Sequence, residues 1–150
     1  MAKKFSAQVA EFSQKTKRNM RYVAAEAIQD VVEAAQTTQL GITRGAESFE
    51  EGKIPVGLTG DLVNALVSSI DGGASGAGAA SYATVIAGME LGDRLTFTWT
   101  QEYAMRIEAG FTGTDAKGRQ YNQSGRHFVG ANAARFQDFV DARSNEVQGR

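Results

Sequence analysis

Residues 6–39 read SAQVAEFSQKTKRNMRYVAAEAIQDVVEAAQTTQ, a stretch with neither glycine nor proline. Its apolar residues recur every three or four positions, which is the period of a helix that buries one stripe. That series is Phe5, Val9, Phe12, Met20, Val23, Ala27, Ile28, Val31, Val32 and Ala35. Ser6 is the predicted N-cap and Gly41 the predicted stop. At ~1.5 Å per residue the helix would be about 50 Å long, longer than a compact chain of this size is wide. We therefore expect a neighbouring subunit to cover part of the stripe.

Composition places the chain among ordinary globular domains. Its 150 residues and 42% apolar content predict one domain, 1–150, with a core of its own. The absence of cysteine excludes disulfides and thiolate metal sites. The formal charge of −1 argues against dedicated nucleic-acid binding. No apolar run predicts a signal peptide or a membrane span, so we expect a soluble protein that acts where it is made.

Basic residues cluster near the start of the chain, where only Glu11 opposes them. They are Lys3, Lys4, Lys15, Lys17, Arg18 and Arg21. A solvated helix face is the favoured interpretation of this cluster, ahead of a functional basic patch.

The middle of the chain alternates breakers with short apolar runs. Residues 41–57 are a predicted loop because glycines and Pro55 interrupt them. Thr59 is the predicted cap of a short helical turn through Leu66, and a strand is expected from Val67. The glycine-rich run 71–80 is either a mobile loop, which we prefer, or a strand edge where backbones approach closely. Its spacing does not match a phosphate-binding glycine loop.

Two further segments carry strand patterns. Residues 82–89 are one candidate, and 93–101 are the stronger one because Leu95, Phe97 and Trp99 alternate with threonines. Together with 67–72 they predict a three-stranded antiparallel meander, apolar on one face and threonine-rich on the other.

The last third predicts a short helix over 102–109, ended by Gly110, a polar loop over 111–126 and an amphipathic helix over 128–147. The fold class is therefore α+β. The long N-terminal helix and the C-terminal helix pack on a small antiparallel sheet of about three strands. Flexible loops are expected near 41–57, 71–80 and 111–126.

Candidate catalytic groups do not form a recognisable constellation. His127 is the single histidine, and Ser124 near it in sequence is no evidence of a triad. Glu102 and Glu108 are six residues apart and do not share a helix face. Asp115 lies among Lys and Arg residues, unlike a calcium loop. We predict no catalytic, cofactor-binding or metal-binding residues and no enzymatic activity.

The loop 111–126 is long for a compact domain, and such loops are often functional or disordered. It carries Arg119, Tyr121 and Arg126, and Tyr and Arg are the side chains that most often anchor interfaces. A protein-contact loop and a plain surface loop both fit it. Its candidate interface residues are Phe111, Arg119, Tyr121, Asn122, Gln123 and Arg126.

Four features occur in an order that resembles the tail-completion, or neck, proteins of long-tailed bacteriophages, also known as head–tail joining or minor tail proteins. After the long helix comes a Pro-then-Thr-Gly-x-Leu element, followed by a Tyr-Ala-x-x-x-Glu-x-Gly segment and a helix entered by Phe-Val. In this sequence they are Pro55, Thr59, Gly60 and Leu62 with Ser68 and Ser69 beyond, then Tyr103, Ala104, Glu108 and Gly110 before Phe111, and finally Phe128 and Val129 with Ala133 and Phe136 beyond. The similarity spans about residues 5–142. Three residues separate Pro55 from Thr59 where the family commonly has two, and the family pattern does not explain the glycine-rich run.

The resemblance implies a virion subunit that assembles in the bacterial cytoplasm. It would form a homo-oligomeric ring, a hexamer favoured and a dodecamer possible, between the head connector or adaptor and the tail terminator or tail tube. DNA would pass through the lumen without sequence readout, and no catalytic residues or cofactors would be needed.

Two other hypotheses stay open. One is a soluble module, monomeric or dimeric, that binds a ligand or protein on the threonine-rich sheet face. The other is a small hydrolase that uses Glu108 or His127.

Overall fold

The computed structural model describes residues 4–39, 50–55, 60–114 and 116–148. Its first element is the predicted long helix, α1, Phe5–Ala35. Lys4 is the N-cap, so the predicted cap Ser6 lies inside the helix. The helix ends earlier than Gln39 because Thr38 leaves it for a parallel bridge with Ile54. The predicted stop Gly41 lies outside the described residues.

A short helix and the central strand follow. Helix α2 covers Asp61–Asn64, and its N-cap Gly60 has a left-handed backbone with φ 71°. The predicted cap Thr59 lies outside the described residues. Strand β1, Leu66–Ile70, confirms the predicted strand.

Strand β2, Ser75–Ala77, pairs antiparallel with β1. Our preference for a mobile loop over 71–80 is therefore wrong at these positions, and the strand-edge alternative is confirmed. Small residues are suited to β2 because helix α3 packs closely against this strand. A Cβ on Gly76 would lie 3.6 Å from the Cβ of Ser81.

The predicted strand over 82–89 is wrong, since this segment forms helix α3, Ser81–Ala87. Its buried side chains are Val85, Ile86 and the following Met89. The spacing i, i+1, i+4 is that of a helix face. A segment of seven residues is too short for its sequence pattern to separate helix from strand.

Strand β3, Leu95–Trp99, confirms the stronger strand prediction and pairs antiparallel with β1. The sheet order is β2-β1-β3, so the three-stranded antiparallel sheet exists with β2 in place of 82–89. Leu95, Phe97 and Trp99 are half-buried, and the threonines between them are exposed. The threonine-rich face is thus the solvent face.

Helix α4, Ala104–Ala109, ends at Gly110 as predicted. The predicted loop after it is instead a two-stranded hairpin of β4, Gly110–Thr114, and β5, Gln120–Ser124. Its strands are polar, so apolar alternation does not mark them, and the ladder depends on backbone hydrogen bonds.

The predicted C-terminal helix is divided into α5, Gly130–Ala133, and α6, Phe136–Val147. The division lets α5 keep Phe128 and Asn132 buried while α6 packs along α1. Asn132 donates to the carbonyls of Gly52 and Phe128, at 2.7 and 2.8 Å, which ties α5 to the segment 50–55.

Two clusters form the core. Ala25, Ile70, Val85, Ile86 and Met89 pack between α1, the sheet and α3. Ala35, Ile54, Leu62 and Phe128 form the second cluster, and Trp99 meets Phe128 edge-on at 5.3 Å. This architecture is the predicted α+β fold, with both long helices packed together beside a small antiparallel sheet.

One ion-pair group fastens α6 to α1. The Arg143 guanidinium contacts Asp30 at 2.7 Å, Glu146 at 3.2 Å and Glu26 at 3.6 Å. The hydrogen bond to Asp30 is the main reason that the pKa of Arg143 is raised. Val140, Ser144 and Val147 lie on the same half-buried side of α6 as Arg143, and they line a groove between α6 and α1.

Candidate interaction surface

The first half of α1 projects from the fold. Every residue from Lys4 to Arg18 is exposed, and we call this segment the arm. Exposure on all sides of a helix over fourteen residues, about 21 Å at ~1.5 Å per residue, means that this half has no packed face within the described structure. Phe5 is 80% exposed and Phe12 is 72% exposed. Large apolar side chains on a surface in this way mark an interaction site.

The exposed apolar residues of the arm lie on one face. At ~100° per residue, Phe5, Val9, Phe12 and Met20 fall within a narrow stripe, and Thr16 lies inside it. The stripe continues beyond the arm onto the body of the molecule. Thr16 and Met20 belong also to the wall of a groove on the body of the molecule.

The groove runs between α1 and α6, with Leu91 closing one side. Its volume is about 430 Å³, within the range of protein binding sites. Apolar side chains dominate its lining, among them Val23, Phe136, Val140 and Val147. Sequence reasoning missed this groove. The sequence spacing of Phe136, Val140, Ser144 and Val147 places them on one face of α6, but it does not show that this face lines a groove.

Charge differs between the arm and helix α6. Lys4, Lys15, Lys17 and Arg18 are exposed on the arm and are opposed only by Glu11. On α6, the exposed Asp138, Asp141 and Glu146 are opposed only by Arg143, and Asp141 lies about 60° around the helix from the groove-lining Ser144. These four members of the predicted basic cluster are thus exposed on the helix, and Lys3 lies outside the described residues.

Arg21 departs from that cluster. Its guanidinium donates to the carbonyls of Met89 and Ala87, at 2.7 and 2.8 Å, and so covers the C-terminal end of α3.

The hairpin brings several of the predicted interface residues together. Phe111 pairs with Gln123 in the ladder, and the Arg106 guanidinium lies 4.3 Å from the Phe111 ring centre. Asn122 and Arg119 are exposed, and Tyr121 is in β5 opposite Gly113.

Arg126 lies instead at the base of the hairpin, where burial lowers the pKa of its guanidinium. Its backbone N–H donates to the Ile107 carbonyl at 2.7 Å. The backbone of Arg126 thus helps to anchor the hairpin to α4. The exposed part of the hairpin presents a polar surface.

Glu108 and Gly110 have structural roles. The Glu108 carboxylate accepts from the N–H groups of Val129 and Gly130, at 2.9 and 3.2 Å. Gly110 has φ 88°, and a Cβ there would lie 2.6 Å from the Gln123 carbonyl oxygen. The Tyr-Ala-x-x-x-Glu-x-Gly segment thus joins α4, the hairpin and α5.

His127 is exposed, with a left-handed backbone at φ 51°. Its N–H donates to the Glu108 carbonyl oxygen at 3.1 Å, which is a backbone contact. In the part of the chain that the structure describes, no three His, Asp or Glu side chains are grouped to hold a metal ion. Across the same residues, no helix is both long and apolar enough to cross a bilayer.

Comparisons of the chain with family models, curated proteins and solved structures found no match.

Proposed function

We propose that the chain is a structural subunit of a ring at the neck or tail end of a long-tailed bacteriophage. The ring, a hexamer in the favoured form, joins the head connector to the tail tube and leaves a lumen for DNA. The observation that carries this proposal is the arm, because an exposed amphipathic half-helix has its natural role in contact with another protein.

The surface chemistry supports a structural role. Glu108, the carboxylate most suited to catalysis by sequence, is engaged in holding two backbone N–H groups at the start of α5. His127 is exposed rather than enclosed in a cleft with it. A small hydrolase needs its catalytic groups together in a cleft.

The family resemblance supplies the location in the virion. In one of its segments, residues 103–110, Glu108 and Gly110 have definite structural roles in this fold. A ring around DNA is also compatible with the formal charge of −1, since a strongly basic lumen would hold phosphates and impede passage.

The test is deletion of the gene from the phage or prophage that encodes it, followed by electron microscopy of the particles. We expect filled heads and separate tails, restored to joined virions by the parental gene and not by a gene lacking residues 1–14. Normal joined virions from the deletion strain would refute the proposal. A purified chain that stays monomeric with connector and tail-tube proteins present would favour the binding-module hypothesis.

A further inference from the structure

The arm and the groove are complementary surfaces of one molecule, so a second copy of the chain can supply the partner of each. We propose that the arm of one copy docks in the groove of a second copy of this chain. The inference deepens the proposed function by naming the occupant of the exposed stripe, and it rests on that function only for closure into a ring.

An arm cannot fill the groove of its own chain. Helix α1 is continuous from Phe5 to Ala35, and it supplies both the arm and one wall of the groove. Phe5 and Phe12 are therefore held away from Val23 along a single rigid helix. Contact between the two surfaces requires another molecule.

The apolar patterns of the two surfaces match. The arm presents Phe5, Val9 and Phe12 at helical spacing. The groove is an open trough between two helices, with Val140 and Val147 along α6. Laying the apolar face of one helix into a groove between others is a common mode of recognition.

Charge favours the same pairing. Lys15 and Lys17 flank the arm's stripe on its two sides, by the helical geometry of ~100° per residue. Helix α6 carries Asp138, Asp141 and Glu146 against Arg143 alone, and Asp141 lies about 60° around the helix from the groove-lining Ser144. The attraction between a basic arm and an acidic α6 steers encounter, and the repulsion between two basic arms disfavours the contact of one arm with another.

The contact area argues for several copies rather than one pair. Two phenylalanines that are about three-quarters exposed offer roughly 300 Å² for burial, and the groove contributes about as much. A stable interface of standard size buries ~1,600 Å². One arm contact is thus weak alone. In a ring, each copy gives one arm and receives another, so closure adds the contacts together.

Cysteine cross-linking tests the contact on the whole chain, because the parental sequence has no cysteine. Ser13 lies beside the arm's stripe, and Ser144 lines the groove. A chain carrying S13C is mixed with a chain carrying S144C and treated with a short bis-maleimide. The matched control replaces S144C with S75C, an exposed position on β2 away from the groove.

We expect the S13C–S144C product to exceed the S13C–S75C product at least tenfold. Phe12→Asp on the S13C chain should lower it at least about tenfold, since it removes an aromatic anchor. Val140→Lys on the S144C chain should do the same from the groove side. Circular dichroism of each variant confirms that the fold persists. The inference would be overturned by equal product yields with S144C and S75C. It would also be overturned if neither Phe12→Asp nor Val140→Lys lowered the yield of the S13C–S144C product.

The two proposals fail differently. Virions that need residues 1–14 while S13C and S144C do not cross-link would mean that the arm binds a different protein. That outcome overturns the arm–groove contact and keeps the structural role. If S13C and S144C cross-link efficiently but virions assemble without the gene, the arm–groove contact is kept and the proposed structural role in the virion is overturned.

Discussion

Replacing Gly125 with alanine tests the close approach of its backbone to that of Glu108 and Ala109. Gly125 is buried where the hairpin leaves for α5. A Cβ there would lie 2.4 Å from the Glu108 carbonyl oxygen and 2.6 Å from the Ala109 carbonyl carbon. Both are backbone atoms, so no side chain can rotate away. The two backbone segments must separate by more than half an ångström.

The expected loss follows from what that separation breaks. The N–H of Arg126 donates to Ile107 at 2.7 Å, and that of His127 donates to Glu108 at 3.1 Å. Each hydrogen bond contributes about 1 kcal/mol, and overpacking of a tight site costs about 1–3 kcal/mol. Gly125→Ala should therefore lower the free energy of unfolding by about 3–5 kcal/mol, a large part of the stability of an ordinary domain.

Urea unfolding followed by tryptophan fluorescence measures this loss. Trp99 is the single tryptophan, and its edge-on contact with Phe128 is lost on unfolding. The matched control is Gly130→Ala in α5, where an added Cβ would meet no described atom within 4 Å. Alanine in a helix should raise stability there by about 0.5–1 kcal/mol. A Gly125→Ala chain within 1 kcal/mol of the parent, or equal losses at both positions, would refute the close approach.

Three other substitutions test separate contacts. Glu108→Ala removes the acceptor for two backbone N–H groups at α5, and we expect a loss of about 1–2 kcal/mol in the same urea assay, with a smaller loss for Glu108→Gln. Gln36→Leu strips partners from the Trp99 indole N–H and from the carbonyls of Val63 and Ala79, so it should cost about 2–3 kcal/mol, and a loss under 0.5 kcal/mol would contradict that bonding. The pKa of Tyr22 is raised mainly by its hydrogen bond to Glu146 and secondarily by burial. The hydrogen bond therefore stabilises the fold fully below the unfolded tyrosine pKa of ~10, and this stabilisation is lost as the pH rises through the higher folded pKa. Tyr22→Phe should therefore reduce the fall in unfolding free energy above pH 10, and an unchanged alkaline slope would count against the bond.

The arm also explains why α1 is longer than its own fold requires. The second half of α1 packs on the body, and Ala25, Ala27, Val32 and Ala35 are buried there. An isolated helical half-segment of about fourteen residues is marginal in water, so its continuity with the packed half stabilises it. The fold thus holds an apolar stripe ready for a partner at little further loss of entropy.

The hairpin is a second exposed surface and has a different character. Its outward residues, including Arg119 and Asn122, are polar, and its base is fixed by backbone contacts to α4. Interfaces commonly have an apolar centre and a polar rim. We therefore place the arm at the centre of the proposed subunit contact and the hairpin at its edge.

Local patterning by itself determined the elements that have strong periods or clear ends. The 3.6-residue period specified α1, the alternation of Leu95, Phe97 and Trp99 specified β3, and Gly110 marked the end of α4. These signals are carried by neighbours in the chain, so one sequence suffices to find them. The α+β class followed from their order.

Only the tertiary structure decided the remaining elements and the groove. Residues 81–87 became a helix because Val85 and Ile86 are buried against α1 and β1, and Ser75–Ala77 became a strand because β1 offered a free edge. The hairpin's polar strands depend on each other's backbone groups. The groove exists because α6 lies along α1, held there by Arg143 and Asp30, so that Val140 and Val147 line the space between the two helices. Each of these outcomes depends on contacts between residues distant in the chain, which no local pattern records.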